Sequence, residues 1–326
     1  MRHKWRNELR HLCRLLIVRL TWILMSQIER INFYNTWPNA QRFAAEQQFE
    51  EHLKSVSGNF FIPIALNNSL SATGHISLSY TLDSLDSLPM RPDHAFDWIW
   101  KAFEHLTKAA APNLNITDSL RSFATPTICS VLANYPQASA NFNQLAENIP
   151  LQTARFLLKK IIASGPYTNP TTSFAKRMLY TNGNGPITSL PLQALLDKLS
   201  GYNYANPQDR RDGASLIRKA MSGQSLSYPL GQHSLTQNDI VFFLLSGLGY
   251  GFRNDRAHAS SISPFTSSKA RIKTYSHCWF SFLIIYYFLT TLWEASGFIA
   301  TPQSIDQNYA ANNGAFFTLF SSVLNK

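Results

Sequence analysis

Twenty consecutive positions, 274–293, contain no Lys, Arg, Asp or Glu, and this run constrains the fold more than any other stretch of the chain. As an α-helix it is long enough to cross a bilayer, and Tyr275, Trp279 and Trp293 carry rings suited to a membrane interface. The run also carries Ser276, His277, Ser281, Thr290 and Thr291. Such dilution suits a helix wrapped on most sides by a bundle. Core helix and membrane span are therefore the two readings.

The rest of the sequence supplies the helices that a bundle needs. Phe96, Ile99, Trp100, Phe103 and Leu106 recur at three and four, making an apolar stripe with Asp93 as a plausible N-cap. Glu104 lies beside that stripe, either solvated or placed to orient a catalytic group. Helical spacing also marks 39–55, 117–133, 142–163 (ending at Gly165-Pro166), 192–199, 212–221 and, after Thr236 as N-cap, 237–252. Segments 59–66 and 75–82 read as strands or extended connections, and 228–234 as a loop. The expected class is mainly α: a helical bundle over 91–296 with a basic insertion near 164–235. An N-terminal region of uncertain fold (1–90) precedes it, and a tail or short helix (297–326) follows.

Charge is sparse, 15% of residues, and uneven. The net charge of +10 divides into +5 over 1–20, −4 over 21–150, +7 over 151–222 and +2 over 223–326. The basic block containing Lys159, Lys160, Arg210, Arg211, Arg218 and Lys219 is a candidate RNA-binding surface, or a solvated face of ordinary helices. Cys13, Cys129 and Cys278 are odd in number and far apart, which excludes a disulfide framework and points to a reducing, cytoplasmic compartment. Zinc-enzyme, phosphate-loop and nucleophile-elbow motifs are absent, so no metal or cofactor is expected. The basic start, Met1 to Arg30, has Arg19 inside its apolar run, unlike a secretion signal. It reads as an interfacial helix, or translation begins at Met25.

The segment 250–258 reads Tyr-Gly-Phe-Arg-Asn-Asp-Arg-Ala-His. Arg253 offers a permanent cation whose planar fork matches phosphate oxygens. His258 can take or lend a proton near neutral pH. Together they are a minimal kit for cutting a phosphodiester without a metal. On a straight helix, positions five apart diverge by about 140°. The two converge only if the helix bends or ends nearby, or if a second subunit completes the site. Asn254 and His258, four apart, share a face. Gly247, Gly249 and Gly251 make helix distortion inexpensive just upstream.

This nonapeptide resembles the R-x4-6-H motif of the HEPN superfamily, including the polar residue after the arginine. Residues 93–106, with their aromatic residues and Glu104, are similar to the opening helix of several HEPN families. Two other Arg-to-His spacings fit, Arg6–His11 and Arg271–His277, but only 253–258 lies between a preceding helix and an apolar following one. The resemblance implies a dimeric helical bundle acting as a metal-independent ribonuclease, in toxins or antiviral defence, with a neutralising antitoxin or regulatory protein as a further partner. His258 would act as base on the RNA 2′-OH or as acid on the leaving oxygen. Arg253 would bind the scissile phosphate, and Asn254 would hold the imidazole or a phosphate oxygen. Arg256 would add phosphate affinity, or else pair with Asp255 or stand as a surface cation. The alternatives are a catalytically inactive RNA-binding or regulatory module and a membrane-associated helical protein.

Overall fold

The computed structural model describes residues 27–324, apart from 37–38, 40–41, 168–169, 180–188, 229–230, 260–261, 268 and 302–303. The chain is mainly helical, as its periodicities require. After a helical stretch over 27–36, its helices are α1 (Ala44–Ser55), α2 (Ala72–Asp86), α3 (Pro92–Ala110), α4 (Ile116–Ser119), α5 (Thr125–Asn134), α6 (Pro136–Glu147) and α7 (Leu151–Ser164). They continue with α8 (Ser173–Leu179), α9 (Leu190–Ser200), α10 (Pro207–Met221), α11 (Gln237–Phe242), α12 (Tyr250–Ala257), α13 (Ile272–Ala295) and α14 (Ser304–Leu324). Two π-helical turns, Leu120–Ala124 and Phe243–Gly249, join α4 to α5 and α11 to α12.

The apolar run forms α13, and every residue from Thr274 to Trp293 is buried. It packs against α1, α3, α5, α7, α14 and the second π-turn. Among the described residues it is the one helix long and apolar enough to cross a membrane, and 89% of its apolar window lies inside the protein. The serines, threonines and histidine that dilute it are satisfied within the bundle, whereas the Tyr275 hydroxyl is buried without a partner. The Tyr287 hydroxyl has the Tyr309 carbonyl at 3.0 Å and Asn313 Oδ1 at 2.9 Å as acceptors for its one proton, and the Tyr287 and Tyr309 rings stack at 3.7 Å. Thr153 and His277 share a hydrogen bond of 2.9 Å. Pairing of this kind lets a bundle interior hold polar groups that would otherwise each cost about 1–3 kcal/mol.

Three sequence expectations need correction. Residues 75–82 lie within helix α2, not in a strand. Ser71 caps that helix by accepting from the Gly74 N–H at 3.2 Å, and its buried face is Gly74, Ser77, Thr81 and Ser84, while Ile76 and Leu82 face outward. An inward face of small residues lets α2 lie close on α3, with Ser84 donating to the Ala95 carbonyl at 2.7 Å. The α3 N-cap is Arg91, not Asp93, because Pro92 occupies the first turn; Asp93 is pulled inward. The segment 228–234, expected as a loop, contributes to a short hairpin pairing Leu226–Tyr228 with Gly231–His233, with Gly231 at φ +118°, where glycine is favoured.

Extended residues 59–66 form no strand beyond an isolated bridge from Leu66 to Ile299. They are held by side chains: Asn308 and Asn312 donate to the Ile62 carbonyl, and Tyr286 accepts from the Ile64 N–H at 2.7 Å. The C-terminal stretch forms a 21-residue helix, α14. One hydrophobic core includes Phe49 of α1, α3, α13 and Phe316 and Phe320 of α14.

Candidate functional site

Helix α12 carries the Arg–His segment and runs antiparallel to α3, joined to it by ion pairs in register. Arg253 faces Glu104, with Nη2 and Oε2 3.7 Å apart. One turn later Arg256 donates from Nε and Nη2 to the two oxygens of Asp97 at 2.6 and 2.5 Å, and its Nη1 lies 3.3 Å from Asp93. Such fork-to-carboxylate geometry fixes orientation as well as proximity. Close approach of the preceding turn depends on Gly249, where a Cβ would meet Ile285 at 2.7 Å and Trp100 at 3.0 Å.

Between the two helices opens a cleft of about 460 Å³, lined by His94, Asp97, Trp100, Glu104, Arg253 and Arg256 among others. Its acidic wall is organised from below. Asp93 is fully buried and accepts from Arg91 at 3.0 and 3.1 Å. Burial alone would raise its pKa, but the hydrogen bonds and charge of Arg91, with the charge of Arg256, outweigh burial and hold the carboxyl below its ordinary range. His94 Nε2 lies 2.6 Å from Arg91 Nη2. Arginine has only donors, so this imidazole nitrogen accepts. Burial and the two guanidiniums hold the His94 pKa down, against the opposing pull of Asp93 and Asp97. Glu104 accepts from the Trp100 indole N–H at 2.9 Å and pairs with Lys108 at 2.9 Å.

The three residues read as catalytic fall as follows. Arg253, about one-third exposed, donates from Nη1 to Asn254 Oδ1 at 3.2 Å and lies on the cleft wall. The helix ends at once after this turn: His258 is its C-cap, at φ −96° and ψ 8°. Ala259 follows with φ 48°, in the left-handed region. The imidazole of His258 is exposed and does not line the cleft, whereas its neighbours Ala257 and Ala259 do. Arg253 and Asn254 are thus together, and His258 stands at the rim on the same helix end.

The basic residues divide. Lys160 pairs with Asp255, which leaves Arg256 to Asp97 and Asp93 in place of the expected Asp255. Arg210 lies over the Tyr204 ring at 5.7 Å, Arg211 donates to Gln208 at 2.6 Å, and Arg218 donates to the Leu324 carbonyl at 3.1 Å. Lys159 and Lys219 are exposed. Of the rival spacings, Arg6–His11 lies outside the described residues. In the other, His277 is a core imidazole between Phe156 and Phe252, its pKa pushed down to about 4 by burial.

Asp97, His94 and Lys101 were not singled out in the sequence, although a signal existed. Asp93, Asp97, Lys101, Glu104 and Lys108 follow three- and four-residue steps along α3, a charged stripe beside the apolar one. Among the described residues no cluster of His, Cys, Asp and Glu is arranged to hold a metal ion. No family model, curated protein or solved structure matches the chain.

Proposed function

We propose that the protein is a metal-independent endoribonuclease of the HEPN type, acting as a homodimer on RNA in a reducing, cytoplasmic setting. The observation that carries this reading is the end of α12. It presents Arg253 on a cleft wall, bonded to Asn254 beside it, and ends at His258, an exposed C-cap whose N–H still bonds the Asn254 carbonyl, so that a second copy closes the angle between Arg253 and an imidazole. In the reaction the 2′-oxygen attacks phosphorus and the bond to the 5′-oxygen breaks. One group removes the 2′ proton and another protonates the departing 5′-oxygen. His258 fills one of these roles, and Arg253 stabilises the charge gathering on phosphate. A second copy supplies the other imidazole and a second guanidinium. Setting the protein in toxin or defence systems, with a neutralising partner, rests on the HEPN resemblance alone.

One observation favours a second reading, a binding or regulatory module without catalysis: within one chain the cleft holds Arg253 and Arg256 against carboxylates while His258 stays outside it. The membrane-associated reading is disfavoured by the burial of α13 within the bundle. An RNA cleavage assay in EDTA separates the first two. Wild type should cut RNA and leave DNA of the same sequence intact, since DNA lacks the attacking hydroxyl. His258→Ala should slow cutting by about 10²–10⁴-fold with RNA affinity nearly unchanged. Arg253→Ala should weaken both. Cutting that survives in His258→Ala rejects the assignment, and RNA that is retarded but never shortened by wild type favours the binding module.

A further inference from the structure

Three lysine or arginine side chains line the cleft among the described residues, and two of them are held by carboxylates. Arg253 faces Glu104, and Arg256 is bound by Asp97 and Asp93. The third, Lys101, is exposed and makes no hydrogen bond or ion pair among the described residues. Its contacts are aromatic: Nζ lies 3.8 Å from the centre of the Trp98 ring and 6.0 Å from that of Tyr80.

The two rings come from neighbouring helices, Trp98 from α3 and Tyr80 from α2. They lie nearly parallel, 16° apart in plane, with centroids 6.1 Å apart. Tyr80 packs against the hydrophobic core, whereas Trp98 is partly exposed and stands outside it. The lysine stem covers apolar ring surface while its ammonium stays in water. That cover is displaceable, because cation–π attraction is weak at exposed sites. The pattern continues along α3: His94, Trp98, Lys101, His105 and Lys108 recur at four, three, four and three, which puts them on one side of the helix. Rings and ammonium groups therefore alternate over about 20 Å, and both His94 and Lys101 also line the cleft. The α3 carboxylates are engaged by Arg91, Arg256, Trp100 and Lys108. Asp83 and Asp86 are exposed on α2, so the local field is weak and stacking must carry much of any affinity for a polyanion.

We propose that this stripe is a track for single-stranded RNA leading into the cleft. An unpaired base stacks on Trp98 beside Tyr80, and the adjoining phosphate takes Lys101. On binding, the ammonium exchanges the indole for phosphate oxygens, and the base covers the ring face it leaves. Every base has a π-face, so such a platform tolerates sequence; bases inside a duplex are not offered to it. The proposal rests on the reading of the cleft as an RNA site and names its substrate as single-stranded.

The test separates binding from cutting. Binding to the full chain is read on a single DNA strand, which lacks the attacking hydroxyl and stays intact, and cutting on RNA of the same sequence in EDTA. Trp98→Leu, which keeps an apolar cover, should weaken single-strand binding about 5- to 100-fold, and Trp98→Tyr, which keeps a ring, should restore most of that loss. Lys101→Ala should weaken binding and lower the slope of log affinity against log salt by about 0.7; this variant serves if Trp98→Leu does not fold. At physiological ionic strength the annealed duplex should bind more weakly than the single strand and be indifferent to Trp98→Leu. Trp98-dependent binding with RNA left uncut upholds the track and rejects the nuclease. RNA cut by wild type, with Trp98→Leu binding the single strand as tightly, does the reverse. No single-strand binding by wild type, an unchanged salt slope in Lys101→Ala, or a duplex bound as tightly as the single strand also overturns the proposal.

Discussion

Replacing Asp93 by Asn tests whether the buried ion pairs hold α12 against α3. The Asp93 side chain is fully buried, takes two hydrogen bonds from Arg91 and lies 3.3 Å from Arg256. Removing one partner of a buried pair costs about 3–5 kcal/mol, because the other charge is left uncompensated. Two features reduce that figure here. Arg256 keeps both bonds to Asp97, and Arg91, at 30% exposure, reaches water. A loss of about 2–3 kcal/mol remains after these discounts. Asp97→Asn should cost less, about 1 kcal/mol, since Asp97 is 35% exposed and screened. The double variant should depart from additivity because both carboxylates hold one guanidinium. Urea unfolding at pH 7 measures all three. The acid limb gives a second check. The Asp93 pKa is lowered on folding from its ordinary value of 3.8, so its contribution is complete above that pH and is lost as pH falls through the folded-state value. Wild type should therefore lose stability at low pH more steeply than Asp93→Asn. A variant within about 0.5 kcal/mol of wild type at pH 7 would place it among ordinary surface substitutions and refute the network as the fastener of α12.

Other outcomes follow from the same coordinates. His277 is neutral in the folded protein down to about pH 4, against an ordinary 6.5, so stability should fall as pH drops through 6.5 towards 4 while the unfolded chain alone takes up the proton. The loss is about 3 kcal/mol, and His277→Gln should remove this slope from a pH series of urea midpoints. Ala259 holds a left-handed backbone just after the α12 C-cap; Ala259→Gly should raise stability by about 1 kcal/mol in the same assay, and a loss would show that the turn depends on its methyl group.

The helical class could be read from the sequence because its strongest signals were apolar. The Phe96–Leu106 stripe and the uncharged run of α13 each admit few arrangements. Helix α2 escaped notice because its buried positions are Gly74, Ser77, Thr81 and Ser84 while Ile76 and Leu82 lie outside. A period analysis weighted by hydrophobicity sees the wrong face of such a helix. In the site, the residue types of 250–258 announced phosphate chemistry, but the partners of Arg256 and Lys160 were invisible. They lie 159 and 95 residues away in sequence, and sequence spacing ranks only local pairs.

The central position of α13 has a consequence for synthesis. Helix α3 leaves the ribosome roughly 180 residues before the end of the helix it packs against, about 9–36 s at 5–20 residues per second. Throughout that interval the Phe96–Leu106 stripe lacks its permanent neighbour. The nascent chain must therefore wait, shielded by provisional contacts or by a chaperone, and assembly becomes a late event triggered when residues past 272 emerge.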